Sequence, residues 1–336
     1  MLCARHLCLV FVRAMSERLV QANGATAPFA GRTSRSVVSR LRCAMAALVL
    51  AGACIADLQA RPFVIGSIAN APSTETTLYY PLAAYLGRNL TEFGFSSGKV
   101  TVAQDIPGLI NLFNAGLIDF YIDSPYALLA VSQASGTKVI LRRWKNGRPD
   151  YCSIIVVRKE SGITGLADLN GKLIAFENDF STSGYLLPKL ALQASGLSLS
   201  EYHDGSDHLG ATSIGYIFSR DEENTLVWVL RGRVSAGAIG THEYERFRPA
   251  ERDQLHIIYQ TAPIPRQLVS VKKDTSAPRT ARIRSLLIEL ENAEAGRKLM
   301  ANLEDTTRFD DIPADAEQSL APIRAHLSRS VALTER

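Results

Sequence analysis

Leu173-Ile-Ala-Phe-Glu-Asn-Asp-Phe-Ser-Thr-Ser-Gly-Tyr-Leu-Leu-Pro188 is the stretch on which the fold turns. Leu173–Phe176 is an apolar run of strand length, and Glu177–Phe180 reads as a loop. Ser181-Thr-Ser-Gly184 then leads into a helix over Tyr185–Ser195. A strand that feeds a helix through so short a loop is part of an α/β layer structure. Three hydroxyls and a glycine at that junction also form a cradle for an anion. First-turn N–H groups have no intrahelical partners, and the helix dipole is positive there. Ser181, Thr182 and Ser183 add hydroxyl donors, and Gly184 lets backbone come close. Plain N-capping by one of the hydroxyls is the competing reading. No Gly-Lys-Ser follows, which excludes a nucleotide P-loop, and no Gly-x-Ser-x-Gly elbow occurs here.

The same alternation extends outward on both sides. Upstream, strands are expected at Phe63–Ile68, Lys99–Ala103, Ile118–Ile122 and Val139–Leu141. Helices are expected between them at Thr76–Leu90, Ile106–Ala115 and Pro125–Ser135. This order predicts a mostly parallel sheet covered by helices. After the turn Asn146-Gly-Arg-Pro-Asp150 the pattern restarts with strand Ser153–Val157. A short helix at Gly165–Leu169, a helix carrying Leu226–Leu230 and a strand at Val234–Ile239 complete a second α/β unit over about 153–240. Thr280–Leu290 and Ala293–Leu303 read as two further helices. Two such units place a ligand cleft beyond the strand ends, at the boundary between them.

Composition narrows the function classes. The 336 residues are 46% apolar and 21% charged, with 37 Lys and Arg against 33 Asp and Glu. Residues 1–60 hold seven of the Arg, no Lys and two acids; the other 276 residues carry 30 basic and 31 acidic groups, a net charge of −1. The basicity belongs to the leader, so composition gives no case for nucleic-acid binding by the body. Arg35, Arg40 and Arg42 precede the apolar run Ala44–Ala56, the form of a secretory signal. Cleavage after Ala60 would leave Arg61 first. Leu50-Ala-Gly-Ala-Cys54 resembles a lipoprotein cleavage site, so anchoring through Cys54 is the alternative, and a buried N-terminal helix is a third reading. The sequence before Met15 looks superfluous. No 18-residue apolar stretch follows residue 60. Of five Cys, only Cys152 lies beyond the leader, so the body relies on its core rather than on a disulfide. Cys152 is expected to be a buried structural residue.

Three segments resemble the phosphonate-binding family, the periplasmic solute-binding proteins of phosphate, phosphite and phosphonate ABC transporters. They are Ser161-Gly-Ile-Thr-Gly-Leu-Ala-Asp-Leu-Asn-Gly-Lys172, Ile174-Ala-Phe176 and Ser181-Thr-Ser-Gly-Tyr-Leu-Leu-Pro188. Gly116-Leu-Ile-Asp119, Gly232-Arg-Val-Ser-Ala-Gly237 and Ala262-Pro-Ile-Pro265 add support, and the resemblance covers about residues 62–310. It implies a two-lobed periplasmic-binding-protein fold of type II, with the ligand cleft between the lobes and a hinge of crossing strands. Lobe 1 would comprise 61–152 plus 266–336, and lobe 2 residues 153–265, after a leader over 1–60. The oxyanion would sit on Ser181, Thr182, Ser183 and Gly184. Where the family places a Tyr after an early strand, this chain has Asp123 or Ser124. Its His-Glu segment appears as Glu222-Glu223, and the acid expected just after Ile-Pro is replaced by Arg266-Gln267. Ligand contacts are therefore also expected from Asp123, Ser124, Tyr121 and Arg266, with Tyr126 weighed beside Tyr121. A ligand amine would lose its counter-charge at Arg266, so amino-phosphonates are expected to be disfavoured unless Glu222 or Asp123 points into the cleft.

The implied activity is capture, not catalysis. The expected partners are a small oxyanion and an inner-membrane ABC permease, with a membrane sensor or receptor as the alternative; the protein is expected to be a monomer. No cofactor and no metal is expected: His203 and His208 lie in a Gly/Asp-rich loop without a second ligand pair. Asp221-Glu-Glu223 reads as a solvated face, and Leu226, Trp228 and Leu230 as core. Hydrolysis is a distant third option, since nothing resembles a dedicated acid–base pair.

Overall fold

The computed structural model describes residues 60–203 and 211–334. The leader with Cys54, and His208, lie outside the described residues. The strands are β1 Arg61–Ile68, β2 Phe95–Ala103, β3 Phe120–Asp123, β4 Lys138–Trp144, β5 Asp150–Tyr151, β6 Ser153–Arg158 and β7 Leu173–Phe176. They continue with β8 Ser198–Glu201, β9 Ser213–Phe218, β10 Ala236–Gly240, β11 Leu255–Gln260, β12 Ile264–Pro265, β13 Gln267–Val271 and β14 Arg308–Asp310. One six-stranded sheet runs β14-β4-β13-β3-β1-β2, and the other runs β11-β6-β10-β7-β9-β8. The chain is thus a two-lobed α/β protein, as its alternating pattern predicts. Both sheets are mixed rather than mostly parallel. β1 pairs in parallel with β2 and β3, but β13 inserts antiparallel between β3 and β4. β10 is parallel to β7 and antiparallel to β6. β14 also pairs antiparallel with β4, at the edge of the first sheet.

Apolar clusters fill both lobes, and one is shared: Leu186 and Leu187 of the second lobe belong to the same buried cluster as Leu128 and Leu268 of the first. In the first, Phe63, Ile65, Leu82 and Leu86 are fully buried, and the Phe63 and Phe95 rings meet edge-on at 5.1 Å. Burying one such side chain contributes about 1.5–3 kcal/mol. The helix Pro72–Asn89 starts earlier than its apolar spacing indicates, because Pro72 stands at its first position, where the missing N–H costs nothing. It lies so close on β2 that a Cβ at Gly98 would come within 2.1 Å of the Ala84 nitrogen. In the second lobe Leu226 is fully buried, with Trp228 and Leu230 packed on its cluster, so this run is core as expected. The helix Ala321–Thr334, which apolar periodicity does not pick out, buries Ile323 against the core of the first lobe.

Two segments carry the chain between lobes. One leaves β4 at Trp144, turns through Lys145–Pro149 and enters β5. The other returns through β12, which pairs antiparallel with β5: Ile264 opposes Tyr151 and Pro265 opposes Asp150. The lobes also touch directly. Tyr126 N donates to Thr182 Oγ1 at 2.9 Å, and Asn70 Nδ2 donates to Asn178 Oδ1 at 2.9 Å.

Candidate functional site

A cavity of about 190 Å³ lies between the lobes. Helix N-termini converge on it, because it sits beyond the ends of the parallel strands. The helix Pro125–Ser135 follows β3 through Asp123 and Ser124, both on the cavity wall. The helices Pro72–Asn89 and Glu222–Leu230 each place a first-turn acid, Glu75 and Glu222, on that wall. The turn after β7 lines the same cavity. Positive helix ends gathered at one point favour an anion there.

That turn is a single wide π turn, Thr182–Leu186, running into the helix Leu187–Ala194. Ser181 is its N-cap: its Oγ accepts from Gly184 N at 2.9 Å and donates to Glu177 Oε2 at 2.7 Å. The capping reading of this motif therefore holds for Ser181, and its hydroxyl is already engaged on both sides. Thr182 differs. Its Oγ1 accepts from Tyr126 N, and its hydroxyl, like that of Ser183, stands within hydrogen-bond reach of the Tyr151 hydroxyl. Ser183 is buried and shares the cavity wall with it. Gly184 stands behind the wall, where a Cβ would meet Glu177 Oε2 at 2.7 Å and Ser181 Oγ at 2.9 Å. Its role is the close approach that lets the turn close, not contact with the cavity.

Arg266 comes from the second crossing and is 4% exposed. Its Nη2 lies 2.6 Å from Glu243 Oε1, and its guanidinium carbon sits 4.7 Å from the centre of the Tyr151 ring. Burial works against the charge of Glu243, but the adjacent guanidinium overcomes it and lowers that carboxyl below its usual range. Among the described residues, Arg266 Nε has no hydrogen-bond partner. One N–H of a residue on the cavity wall thus remains to be satisfied.

The cavity is richer in acids than its sequence motifs suggest. Glu75, Asp123, Glu177, Glu222 and Glu304 all line it, against Lys145 and Arg266. Burial raises the Glu75 carboxyl, opposed by a hydrogen bond from Ser67 Oγ at 2.5 Å. Burial also raises Asp123, opposed by the Tyr121 hydroxyl at 2.6 Å and by Ser124 N. Glu177 is raised by burial against its bond from Ser181. Glu222 is raised well above its ordinary value by burial, with Glu177 and Glu243 adding repulsion. Glu304 goes the other way. Burial alone would raise it, but Lys145 and Arg143 hold it down at about 2.

Six residues singled out from the sequence thus line one cavity, from both lobes and a crossing: Ser181, Thr182, Ser183, Asp123, Ser124 and Arg266. Tyr121 does not face the cavity; it is fully buried and holds Asp123 from behind. Tyr126 enters through its backbone N–H. Cys152 is half-buried at the crossing, just ahead of β6, rather than inside a strand. Asp221 caps the helix Glu222–Leu230 through bonds to the N–H groups of Glu223 and Asn224, so this run is not a simple solvated face. Glu222 and Asp123 both reach the cavity, and Arg266 is neutralised by Glu243. The argument against amino-phosphonates therefore loses its basis in Arg266. Glu75, Glu177, Lys145 and Glu304 were invisible to motif reading. Each resembles an ordinary surface charge in its local sequence. Among the described residues, no cluster of His, Cys, Asp or Glu fits a metal ion.

Two α/β lobes joined by two crossings, with helix ends and hydroxyls facing a cleft between them, define the class of solute-binding proteins. The family of periplasmic substrate-binding proteins of phosphonate ABC transporters matches residues 65–318, and the chain belongs to it. That family comprises solute-binding components of importers and not enzymes. A phosphate-import protein PhnD of Mycolicibacterium smegmatis is 29% identical over 140 residues, and the match spans 40% of this chain and 42% of that relative. XAC2383 from Xanthomonas citri, solved with ATP bound, superposes with a TM-score of 0.74 at 25% identity, covering 80% of this chain and 97% of that one. PhnD1 from Prochlorococcus marinus, solved with methylphosphonate, gives a TM-score of 0.59 at 16% identity over 79% and 98% of the two chains. The fold is that of a type II periplasmic binding protein.

The raised carboxyls make stability depend on pH. Glu75, Asp123, Glu177 and Glu222 bind protons more tightly when folded than when unfolded. Their contribution is complete below the unfolded carboxylate value of about 4 and is lost as pH rises through the raised values. Glu304 contributes in the opposite sense, losing stability as pH falls toward about 2. As pH rises above about 4 the first group dominates. The melting temperature of the unliganded protein is expected to fall over that range, and Glu222→Gln is expected to flatten the fall. An equal or steeper fall in the variant would contradict the assignment.

Proposed function

We propose that the protein captures a small phosphorus oxyanion, namely phosphate, phosphite or a phosphonate, in this cleft for an ABC importer of the inner membrane. The observation that carries the reading is the buried Ser181–Gly184 turn, with Thr182 and Ser183 on the cavity wall by the N-terminus of the helix Pro125–Ser135. The hydroxyls of Thr182 and Ser183 and the positive helix ends around them suit the several acceptor oxygens of a tetrahedral anion. Carboxyls with raised proton affinity fit the same ligand. In the protonated form they donate to an oxyanion oxygen, and in the ionised form they accept from a protonated one. The family membership and the phosphate-import and methylphosphonate-bound relatives support the same ligand class. Closure of the two lobes about the β5–β12 crossing would bring the two walls together on the ligand.

Delivery to a permease requires export, for which the leader is the basis. N-terminal sequencing of the mature protein is expected to begin near Arg61, or at a lipid-modified Cys54. A product that still begins at Met1 or Met15 would refute export.

Thr182→Val tests the site. It keeps the side-chain shape and removes one donor to a charged ligand. The expected loss is about 1.5–3 kcal/mol, or roughly 10- to 100-fold in calorimetric affinity. Unchanged affinity for whichever of phosphate, phosphite and methylphosphonate binds best would sink the assignment.

A further inference from the structure

The ion pairs of the cleft do not share charge evenly. Arg266 and Glu243 form a one-to-one buried pair, so neither brings net charge to a ligand. The second group holds two cations for one carboxylate. Glu304 Oε2 lies 3.1 Å from Arg143 Nη2, and its Oε1 lies 2.6 Å from Lys145 Nζ. Arg143 is fully buried and immobilised. Its guanidinium also donates to Leu303 O, Thr306 Oγ1 and Gln267 Oε1. Glu304 therefore keeps a fixed partner whether or not Lys145 stays with it.

Lys145 is the member with the fewest ties, held at its tip by Glu304. It is the first residue after β4, at the start of a crossing between lobes. Its backbone is fixed by the turn that follows, where Arg148 N donates to Lys145 O and Asn146 N donates to Glu304 O. Its side chain is half-buried, lines the cavity and ends in three rotatable donors on a flexible stem. The ammonium also acts on acids from both lobes, lowering Glu75 and Asp123 on one side and Glu177 and Glu222 on the other.

We propose that Lys145 is the anion-binding cation of the cleft: its ammonium leaves Glu304 to Arg143 and pairs with an oxygen of the bound phosphorus oxyanion. This rests on the oxyanion reading given above and adds the residue that supplies the net charge. The exchange strands no buried carboxylate, since Arg143 remains on Glu304. It also ties the ligand to the start of a crossing between lobes, so anion capture and lobe closure share one side chain.

The test compares wild type with Lys145→Met, Lys145→Arg, Glu304→Gln and Thr182→Val by calorimetry with inorganic phosphate and with methylphosphonate. Unfolding midpoints of the same samples report folding. Lys145→Met is expected to lose roughly 10- to 100-fold in affinity, the range of a charge-assisted hydrogen bond, and Lys145→Arg to recover much of it. Glu304→Gln removes the competing carboxylate and is expected to tighten binding severalfold, an outcome that a merely structural role would reverse. Unchanged affinity in Lys145→Met, with a loss in Thr182→Val, would overturn this inference alone. Weaker binding in Glu304→Gln would also overturn it. Failure of wild type to bind either anion would overturn the oxyanion reading together with the inference.

Discussion

Charge buried between two lobes is costly unless each group finds a partner, and this constraint organises the centre of the protein. Arg266 is set against Glu243 and lies on the Tyr151 ring. Arg143 is wholly enclosed in the first lobe and holds Glu304 at the cavity edge. Three of the remaining acids receive a hydroxyl: Ser67 on Glu75, Tyr121 on Asp123 and Ser181 on Glu177. Removing one partner from such a buried pair costs about 3–5 kcal/mol, because the other charge is left alone. The lobes are thus joined through groups that tolerate only a few arrangements.

The fold supplies those arrangements from short, rigid pieces. β3 ends at Asp123, β7 ends beside Glu177, and β13 begins just after Arg266. A helix starts within a few residues of two of these positions, so strand ends deliver side chains while helix ends deliver N–H groups. The β5–β12 ladder is only two residues long on each side, so the connection between lobes has few hydrogen bonds to lose when they move. The two sheets stay separate, while the apolar cluster that holds Leu186 and Leu187 with Leu128 and Leu268 spans the boundary between the lobes.

The alternating pattern, the strand Leu173–Phe176 and the hydroxyl turn were legible because their signals are local: apolar runs, a Ser-Thr-Ser-Gly junction and glycines at helix ends. β13 was not foreseen. Gln-Leu-Val-Ser-Val lacks strict alternation, since it is buried on both faces between β3 and β4. The same strand explains why the sheet is mixed where the βαβ order alone points to parallel strands. The acids of the cleft were hidden for a different reason. Glu75, Glu177 and Glu304, with the cation Lys145, lie far apart in sequence, on a helix start, a loop after a strand, a helix exit and a crossing. Only tertiary structure gathers them. Glu304 has one local sign, a positive φ of 49° followed by 46° at Asp305, but that is a property of the folded backbone and not of the residue letters.

The central claim is that an oxyanion is held on the Ser181–Gly184 turn between the lobes. A crystal structure of the protein grown with methylphosphonate tests it most directly. The account predicts the phosphonate group in the cavity, with oxygens about 2.7–3.2 Å from the hydroxyl of Thr182 and from donors of the turn. A phosphonate bound elsewhere on the protein, with the turn untouched, would contradict it.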